Sequence, residues 1–123
     1  VSDYVNLVSN GSITNEQTIE KGPALVQSMV RAFLRGLRDT LADPAGALEI
    51  TLQYVPEAGG ENLEATEAVL NASIGLWKGD DLGVSKREDW AVSTDFMKEA
   101  GLIEQAPEVD GLFTNTFVTA ASE

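Results

Sequence analysis

Neutral polar side chains cluster near the start of the chain, where they could hydrogen-bond a small ligand. The cluster comprises Asn6, Ser9, Asn10, Ser12, Thr14 and Asn15. Amide and hydroxyl groups of this kind bind neutral or ionic ligands, and Tyr4 beside them adds a ring that can stack and a hydroxyl that can donate. These side chains and Tyr4 are therefore candidates for ligand contact. The alternative role for these side chains is turn formation and helix capping.

Composition restricts the catalytic and metal chemistry that is possible. The chain has no His and no Cys, which removes the imidazole base, the thiolate, the usual zinc site and the disulfide. Carboxylate pairs such as Glu57 with Glu61 could act as acid and base, but in a chain with 20 acidic residues we interpret them as surface. Gly79-Asp80-Asp81-Leu82-Gly83 does not fit a calcium loop, because Leu82 occupies a position that needs an acid. We expect no metal, no cofactor and binding without turnover.

The charge balance limits the partners of the chain. Its 123 residues include 8 basic and 20 acidic side chains, a net charge of −12. Nucleic acid and anionic membrane are therefore poor partners. A hydrophobic fraction of 43% with 23% charged residues is ordinary for one globular domain. The chain begins Val1-Ser2-Asp3 without a signal peptide or an initiator Met, which suggests a processed or excised piece.

The elements that position these residues are mostly helical. Tyr4 to Val8 predicts one short strand, and Asn10-Gly11 predicts the turn that follows it. Apolar residues at steps of three and four, with Ser, Thr, Asp and Pro at the starts, predict the helices. They run from a Thr14 cap to Lys21, from Pro23 to about Ala42, from an Asp43 cap to Val55, from Leu63 to Trp77, from a Ser85 cap to Gly101, and over Val109 to Val118.

Two further patterns have structural interpretations. Arg31, Arg35 and Arg38 form a stripe opposite the apolar face of their helix, which we interpret as solvated. Trp77 and Trp90 lie on apolar helical faces, where packing is the default role.

The predicted strand at Tyr4 to Val8 has no partner strand in this sequence. An isolated strand is not a stable sheet. Either it pairs with a second copy of the chain, or its partner strands belong to a part of the protein outside these residues. We favour the second alternative.

The order of the fragments along the chain resembles the carboxy-terminal part of bacterial ABC-transporter solute-binding proteins, in the subgroup associated with thiamine-pyrimidine precursors, nitrate and sulfonates. The resemblance covers nearly the whole chain. The fragments that carry it are Asp3-Tyr4-Val5-Asn6-Leu7-Val8-Ser9-Asn10-Gly11, Ile13-Thr14-Asn15-Glu16, Pro23-Ala24-Leu25-Val26, Leu34-Arg35-Gly36, Ala42-Asp43-Pro44, Tyr54-Val55-Pro56, Ala72-Ser73-Ile74, Asp89-Trp90, Phe96-Met97, Gly101-Leu102-Ile103 and Phe113-Thr114-Asn115.

The resemblance implies a fold class, a location and a function. The chain would be a mainly α carboxy-terminal fragment, with one short β segment, of a two-lobed α/β type II periplasmic-binding fold. Residues 1–22 would cross between the lobes, and residues 23–123 would pack on one lobe. Because the ligand of such a protein lies beside the crossing segment, the resemblance implies ligand contacts from Tyr4, Asn10 and Thr14. The protein would lie outside the cell membrane, deliver a small polar ligand to an ABC permease, and close its lobes around that ligand.

Two alternatives remain open beside the binding protein. One is a pyrimidine-precursor synthase of the same broad family, for which any His and Cys would have to come from outside these residues. The other is a small acidic helical interaction domain. In addition, apolar helix faces that lack part of the sheet they cover would drive association, so we expect this chain to self-associate.

Overall fold

The computed structural model describes residues 7–8, 10–60, 62–77 and 81–119, and these residues form helices and connecting segments without a strand. The chain is therefore mainly helical, as predicted. Its α-helices are α1 (Glu16–Lys21), α2 (Pro23–Ala42), α3 (Pro44–Tyr54), α4 (Leu63–Trp77), α5 (Arg87–Glu99) and α6 (Thr116–Thr119), with 3-10 helices at Pro56–Gly59 and Val109–Gly111.

The starts of the helices follow local capping chemistry. The predicted cap of α3 is confirmed, because Asp43 Oδ1 accepts from Gly46 N at 3.0 Å and Pro44 is the first helical residue. The cap predicted at Thr14 is wrong. Asn15 caps α1 instead, and its Oδ1 accepts from Thr18 N at 2.8 Å. The cap predicted at Ser85 is also wrong, since α5 begins at Arg87 and the residue before it makes no capping bond with its side chain.

The short β segment predicted at Tyr4 to Val8 is not observed. Tyr4 lies outside the described residues, and Leu7 and Val8, which are described, do not belong to a strand. The physical reason is the partner of the backbone. Val8 N–H donates to the side-chain oxygen of Ser93 at 2.8 Å, where a strand would donate to a carbonyl of a neighbouring strand.

The helix predicted over Val109 to Val118 is also wrong. A 3-10 helix at Val109–Gly111 and the four residues of α6 replace it. Between them, Thr114 Oγ1 accepts from Thr116 N at 3.3 Å, a local bond that competes with helical pairing.

Helix α5 ends in a left-handed glycine stop at Gly101, the residue to which the sequence predicts this helix. Gly101 has φ of 70°, Gly101 N donates to Lys98 O at 3.0 Å, and Leu102 N donates to Met97 O at 2.9 Å. This pair of bonds is a Schellman motif. The motif satisfies two carbonyls that would otherwise have no partner at the end of the helix.

The chain divides into two compact units. The terminal unit consists of Val1–Ser28 and Gly83–Glu123, and the central unit consists of Met29–Leu82. In the central unit, α3 packs against α4 and against the 3-10 helix at Pro56–Gly59. Among its described residues, one apolar side chain from each α-helix is buried: Leu34, Leu48 and Ile74.

Much apolar surface of the described helices stays in contact with solvent. Among the large apolar side chains that are exposed are Leu25, Met29, Phe33, Ile50, Tyr54, Val69 and Leu76. The arginine stripe of α2 is exposed as well, and its Arg35 Nε lies 3.9 Å from Asp39 Oδ2 in a solvent-exposed pair. No helix of the described residues is long and apolar enough to cross a membrane.

Candidate functional site

Two of the three predicted ligand-binding residues, Asn10 and Thr14, are described, and both belong to the terminal unit. Tyr4 lies outside the described residues. Asn10 and Thr14 are exposed, and neither side chain forms a hydrogen bond with any other described residue. Because Asn15 caps α1, the hydroxyl of Thr14 has no capping role. The alternative role that the sequence left open for these side chains therefore applies to Asn15 and not to Thr14.

The backbone just before Asn10 is anchored on helix α5. Ser93 Oγ accepts from Val8 N at 2.8 Å and donates to Asp89 O, one helical turn back, at 2.7 Å. Only 9% of Ser93 is exposed. The hydroxyl therefore uses its one donor inside the helix and its acceptor capacity on the segment that carries the predicted site.

A second bond fixes the chain on the other side of this segment. Gln27 Nε2, on the first half of α2, donates to Phe117 O of α6 at 2.9 Å. Asn10 and Thr14 thus lie in a stretch that is attached to the terminal unit at Val8 and again at Gln27. Both attachments are made by side chains to backbone atoms.

The buried face of α5 consists of residues spaced three and four apart. Trp90, Ser93 and Thr94 fall on this face, as the helical repeat of 3.6 residues requires. The Trp90 ring stacks on Phe113, with centroids 5.9 Å apart and planes 6° from parallel. The Trp90 Nε1 atom is buried, and among the described residues it has no hydrogen-bond partner.

The last described segment is held along α5 by polar contacts. Asn115 Nδ2 donates to Ser85 O at 2.8 Å, and Asn115 Oδ1 accepts from Ser85 N at 2.9 Å. Arg87 Nε donates to Asp110 Oδ1 at 2.8 Å in an exposed pair. The two hydrogen bonds of Asn115 satisfy both backbone groups of Ser85, and they fix the backbone just before α5.

The arrangement offers neutral hydrogen-bonding groups and aromatic rings. Among the described residues, no group of three or more acidic side chains is placed to hold a metal ion. A ligand at this segment would meet the Asn10 amide and the Thr14 hydroxyl, which both donate and accept. The sequence did not predict the roles of Ser93 and Asn115. The one local signal for Ser93 was a polar residue on the same helical face as Trp90.

Comparisons with known proteins agree with the class of protein that the sequence suggested. The NMT1/THI5-like family model matches residues 1–47. The chain is also 38% identical over 126 residues to the riboflavin-binding protein RibY from Chloroflexus aurantiacus, a match that covers 98% of this chain and 36% of that protein. No solved structure matches the chain.

These two matches confirm the resemblance to bacterial solute-binding proteins of the subgroup inferred from the sequence. The chain spans about a third of the length of the curated relative that it matches. The fold of this family is the periplasmic-binding fold.

Proposed function

We propose that this chain is part of the substrate-binding component of an ABC uptake transporter, which captures a small polar molecule without changing it chemically. The observation that carries the proposal is the 38% identity to a riboflavin-binding protein, which extends over 98% of the chain. The full protein would act outside the cell membrane and deliver its ligand to a permease. In that protein, residues 1–22 would cross between two lobes and residues 23–123 would pack on one lobe.

The ligand class follows from the relative and from the polar segment. The sequence suggested a pyrimidine precursor, nitrate or a sulfonate, and the matched relative is named for riboflavin. Riboflavin and pyrimidines share a planar ring with alternating hydrogen-bond donors and acceptors. Tyr4 could stack on such a ring, while Asn10 and Thr14 offer the neutral donors and acceptors that its edge requires. We therefore place a planar nitrogen heterocycle ahead of nitrate and sulfonates.

The test is a binding measurement on the full-length protein. Riboflavin loses fluorescence when its ring stacks on an aromatic side chain, so a titration followed by fluorescence reports binding directly. Calorimetry with a pyrimidine, nitrate and a sulfonate covers the other classes. We expect saturable binding of riboflavin or the pyrimidine. If only nitrate or a sulfonate gives saturable binding, the proposed ligand class of planar nitrogen heterocycles is wrong. If none of the four compounds binds saturably, the proposed function is wrong.

Matched variants test the site. Tyr4→Ala and Asn10→Ala should each weaken binding at least fivefold, and Thr14→Val should weaken it less, because it removes one neutral hydrogen bond. Tyr54→Ala and Asn71→Ala are the controls, since both residues are exposed and lie in the central unit. If the Tyr4 and Asn10 variants bind as tightly as their controls, the segment is structural and the proposed contacts are wrong.

A pyrimidine-precursor synthase is the second candidate, because the matching family model is described as NMT1/THI5 like. This chain contributes neither His nor Cys to such a reaction. The two functions separate in one assay on the full-length protein. A binding component returns its ligand unchanged after prolonged incubation, whereas a synthase forms a new pyrimidine product that chromatography detects.

A further inference from the structure

We propose that Ser93 is the positioning residue for the ligand-binding segment: its hydroxyl holds the backbone at Val8 and thereby sets where Asn10 and Thr14 stand in the terminal unit. The inference rests on the proposed function for its ligand. Its geometric part rests on the described structure alone. It concerns a residue that touches no ligand itself and acts through the segment it holds.

The Ser93 hydroxyl forms two hydrogen bonds to backbone atoms, one within its helix and one to a distant segment. A Ser within a helix commonly donates to the carbonyl four residues back, as Ser28, Ser73 and Ser93 all do here. Ser93 additionally accepts a hydrogen bond from Val8, which is 85 positions away in sequence. Both partners depend on this bond, because the buried oxygen and the Val8 amide would otherwise each lose a hydrogen-bond partner.

The neighbouring hydroxyl of Thr94 differs from that of Ser93 in its hydrogen-bond partners. Thr94 is buried like Ser93, with 6% of its surface exposed. Its Oγ1 donates only within its own helix, to Trp90 O and Ala91 O. Of the two buried polar side chains in the described part of the chain, Ser93 alone reaches another segment. Burial of a hydroxyl on α5 therefore does not by itself account for the bond to Val8.

The predicted contacts lie close along the chain to the anchored Val8 amide. Asn10 is two residues after Val8, so its position follows closely from that of the anchored amide. Asn10 and Thr14 form no side-chain hydrogen bond with other described residues. Among the described residues, hydrogen bonds hold the chain at Val8 and at Gln27, on either side of Asn10 and Thr14. Holding the segment in place before the ligand arrives lowers the entropy lost on binding.

The experiment compares Ser93→Ala with Ser93→Thr in the full-length protein. Ser73→Ala is the matched control, because it removes the same kind of hydroxyl-to-carbonyl hydrogen bond from a helix of the central unit and leaves the residues of the terminal unit unchanged. Amide hydrogen exchange at Val8 measures the anchor, and riboflavin and a pyrimidine are the ligand probes. We expect Val8 exchange to accelerate on the order of fivefold in Ser93→Ala, with affinity reduced several-fold. Ser93→Thr should restore both values, and Ser73→Ala should change neither.

The outcomes distinguish this inference from the proposed function. If the amide hydrogen-exchange rate of Val8 is unchanged in Ser93→Ala, the claim that Ser93 anchors Val8 is wrong. Accelerated exchange with unchanged affinity overturns the positioning role, while the proposed function stands. If the wild-type protein binds neither probe, the proposed function fails and the ligand part of this inference fails with it. In that case, the amide exchange rate of Val8 still tests whether Ser93 holds the Val8 backbone.

Discussion

Asn115 and Ser85 are joined by two hydrogen bonds, in which one side-chain amide pairs with both backbone groups of a residue 30 positions away. Both residues are half-buried. An amide that donates and accepts in this way substitutes for a backbone partner, so the segment before α5 needs no strand beside it.

Loss of these two hydrogen bonds should destabilise the terminal unit. For Asn115→Ala we expect a decrease of about 1–3 kcal/mol in the free energy of unfolding, since Ser85 N–H and C=O both lose their partner. Urea unfolding followed by circular dichroism measures the change. Asn71→Ala is the control, because Asn71 is exposed on α4 and should cost nothing. Equal midpoints for the two variants would contradict the role of the Asn115 bonds.

Burial on α2 can be tested with one substitution at two positions. Leu34 is 2% exposed, whereas Leu25 on the same helix is 68% exposed. Leu34→Ala should lower the unfolding free energy by about 2–5 kcal/mol, because it leaves a cavity. Leu25→Ala should lower it by less than about 1 kcal/mol. Thermal unfolding of both variants is the measurement, and a larger effect at Leu25 would mean that the buried face of α2 is assigned wrongly.

Replacing glycine with alanine should change the free energy of unfolding in opposite directions at two positions. Gly101 has φ of 70°, a conformation that side chains disfavour, so Gly101→Ala should destabilise by about 1–2 kcal/mol. Gly75 lies inside α4, and a Cβ built there meets no atom within 4 Å. Gly75→Ala should therefore stabilise by about 0.5–1 kcal/mol. Chemical unfolding of the two variants decides, and a stabilised Gly101→Ala would contradict the left-handed stop.

The cap of α3 offers a fourth test. Asp43→Ala removes the acceptor for Gly46 N, and we expect a loss of about 0.5–2 kcal/mol. Asp39→Ala removes an acid of the same type from an exposed pair with Arg35, which contributes at most about 0.5 kcal/mol. The difference between the two unfolding midpoints measures the cap. It should vanish only if Asp43 does not cap the helix in solution.

Self-association of this chain remains a prediction, and the exposed apolar residues of α2 are its proposed origin. Met29 and Phe33 are 66% and 52% exposed and lie four residues apart on one side of the helix. Replacing both with Gln should shift the sedimentation coefficient toward the monomer at micromolar concentration. Leu102→Gln, at an exposed residue after α5, should leave it unchanged. A wild-type chain that sediments as a monomer would contradict the prediction directly.

Local signals in the sequence were sufficient to predict most helix boundaries. Pro23, Asp43 with Pro44, and Gly101 act on atoms within a few residues, and the observed α2, α3 and end of α5 agree with them. The sequence alone does not identify the residue that caps α1. Thr14 and Asn15 are both favourable cap residues, and the backbone geometry determines which side chain reaches the free N–H.

Long-range contacts could not be predicted in this way. The bonds of Ser93 to Val8 and of Asn115 to Ser85 join positions 85 and 30 apart, and periodicity carries no information about such pairs. The predicted strand is not observed at its described residues, Leu7 and Val8, for the same reason, since a β-prone segment forms a strand only where a partner strand is available. The predicted contacts of Tyr4, Asn10 and Thr14 remain a proposal.

The composition of the terminal unit affects the order in which the chain can fold during synthesis. The central unit is one continuous stretch, Met29–Leu82, so it can fold as soon as that stretch leaves the ribosome. The terminal unit joins the first 28 residues to the last 41, through bonds that close loops of 85 and 90 residues. Such loops form late, because the entropy of closure comes before the contacts that offset it. The stretch that carries Asn10 and Thr14 is thus translated before the central unit, but its bonds to α5 and to Phe117 form only after those later residues are made.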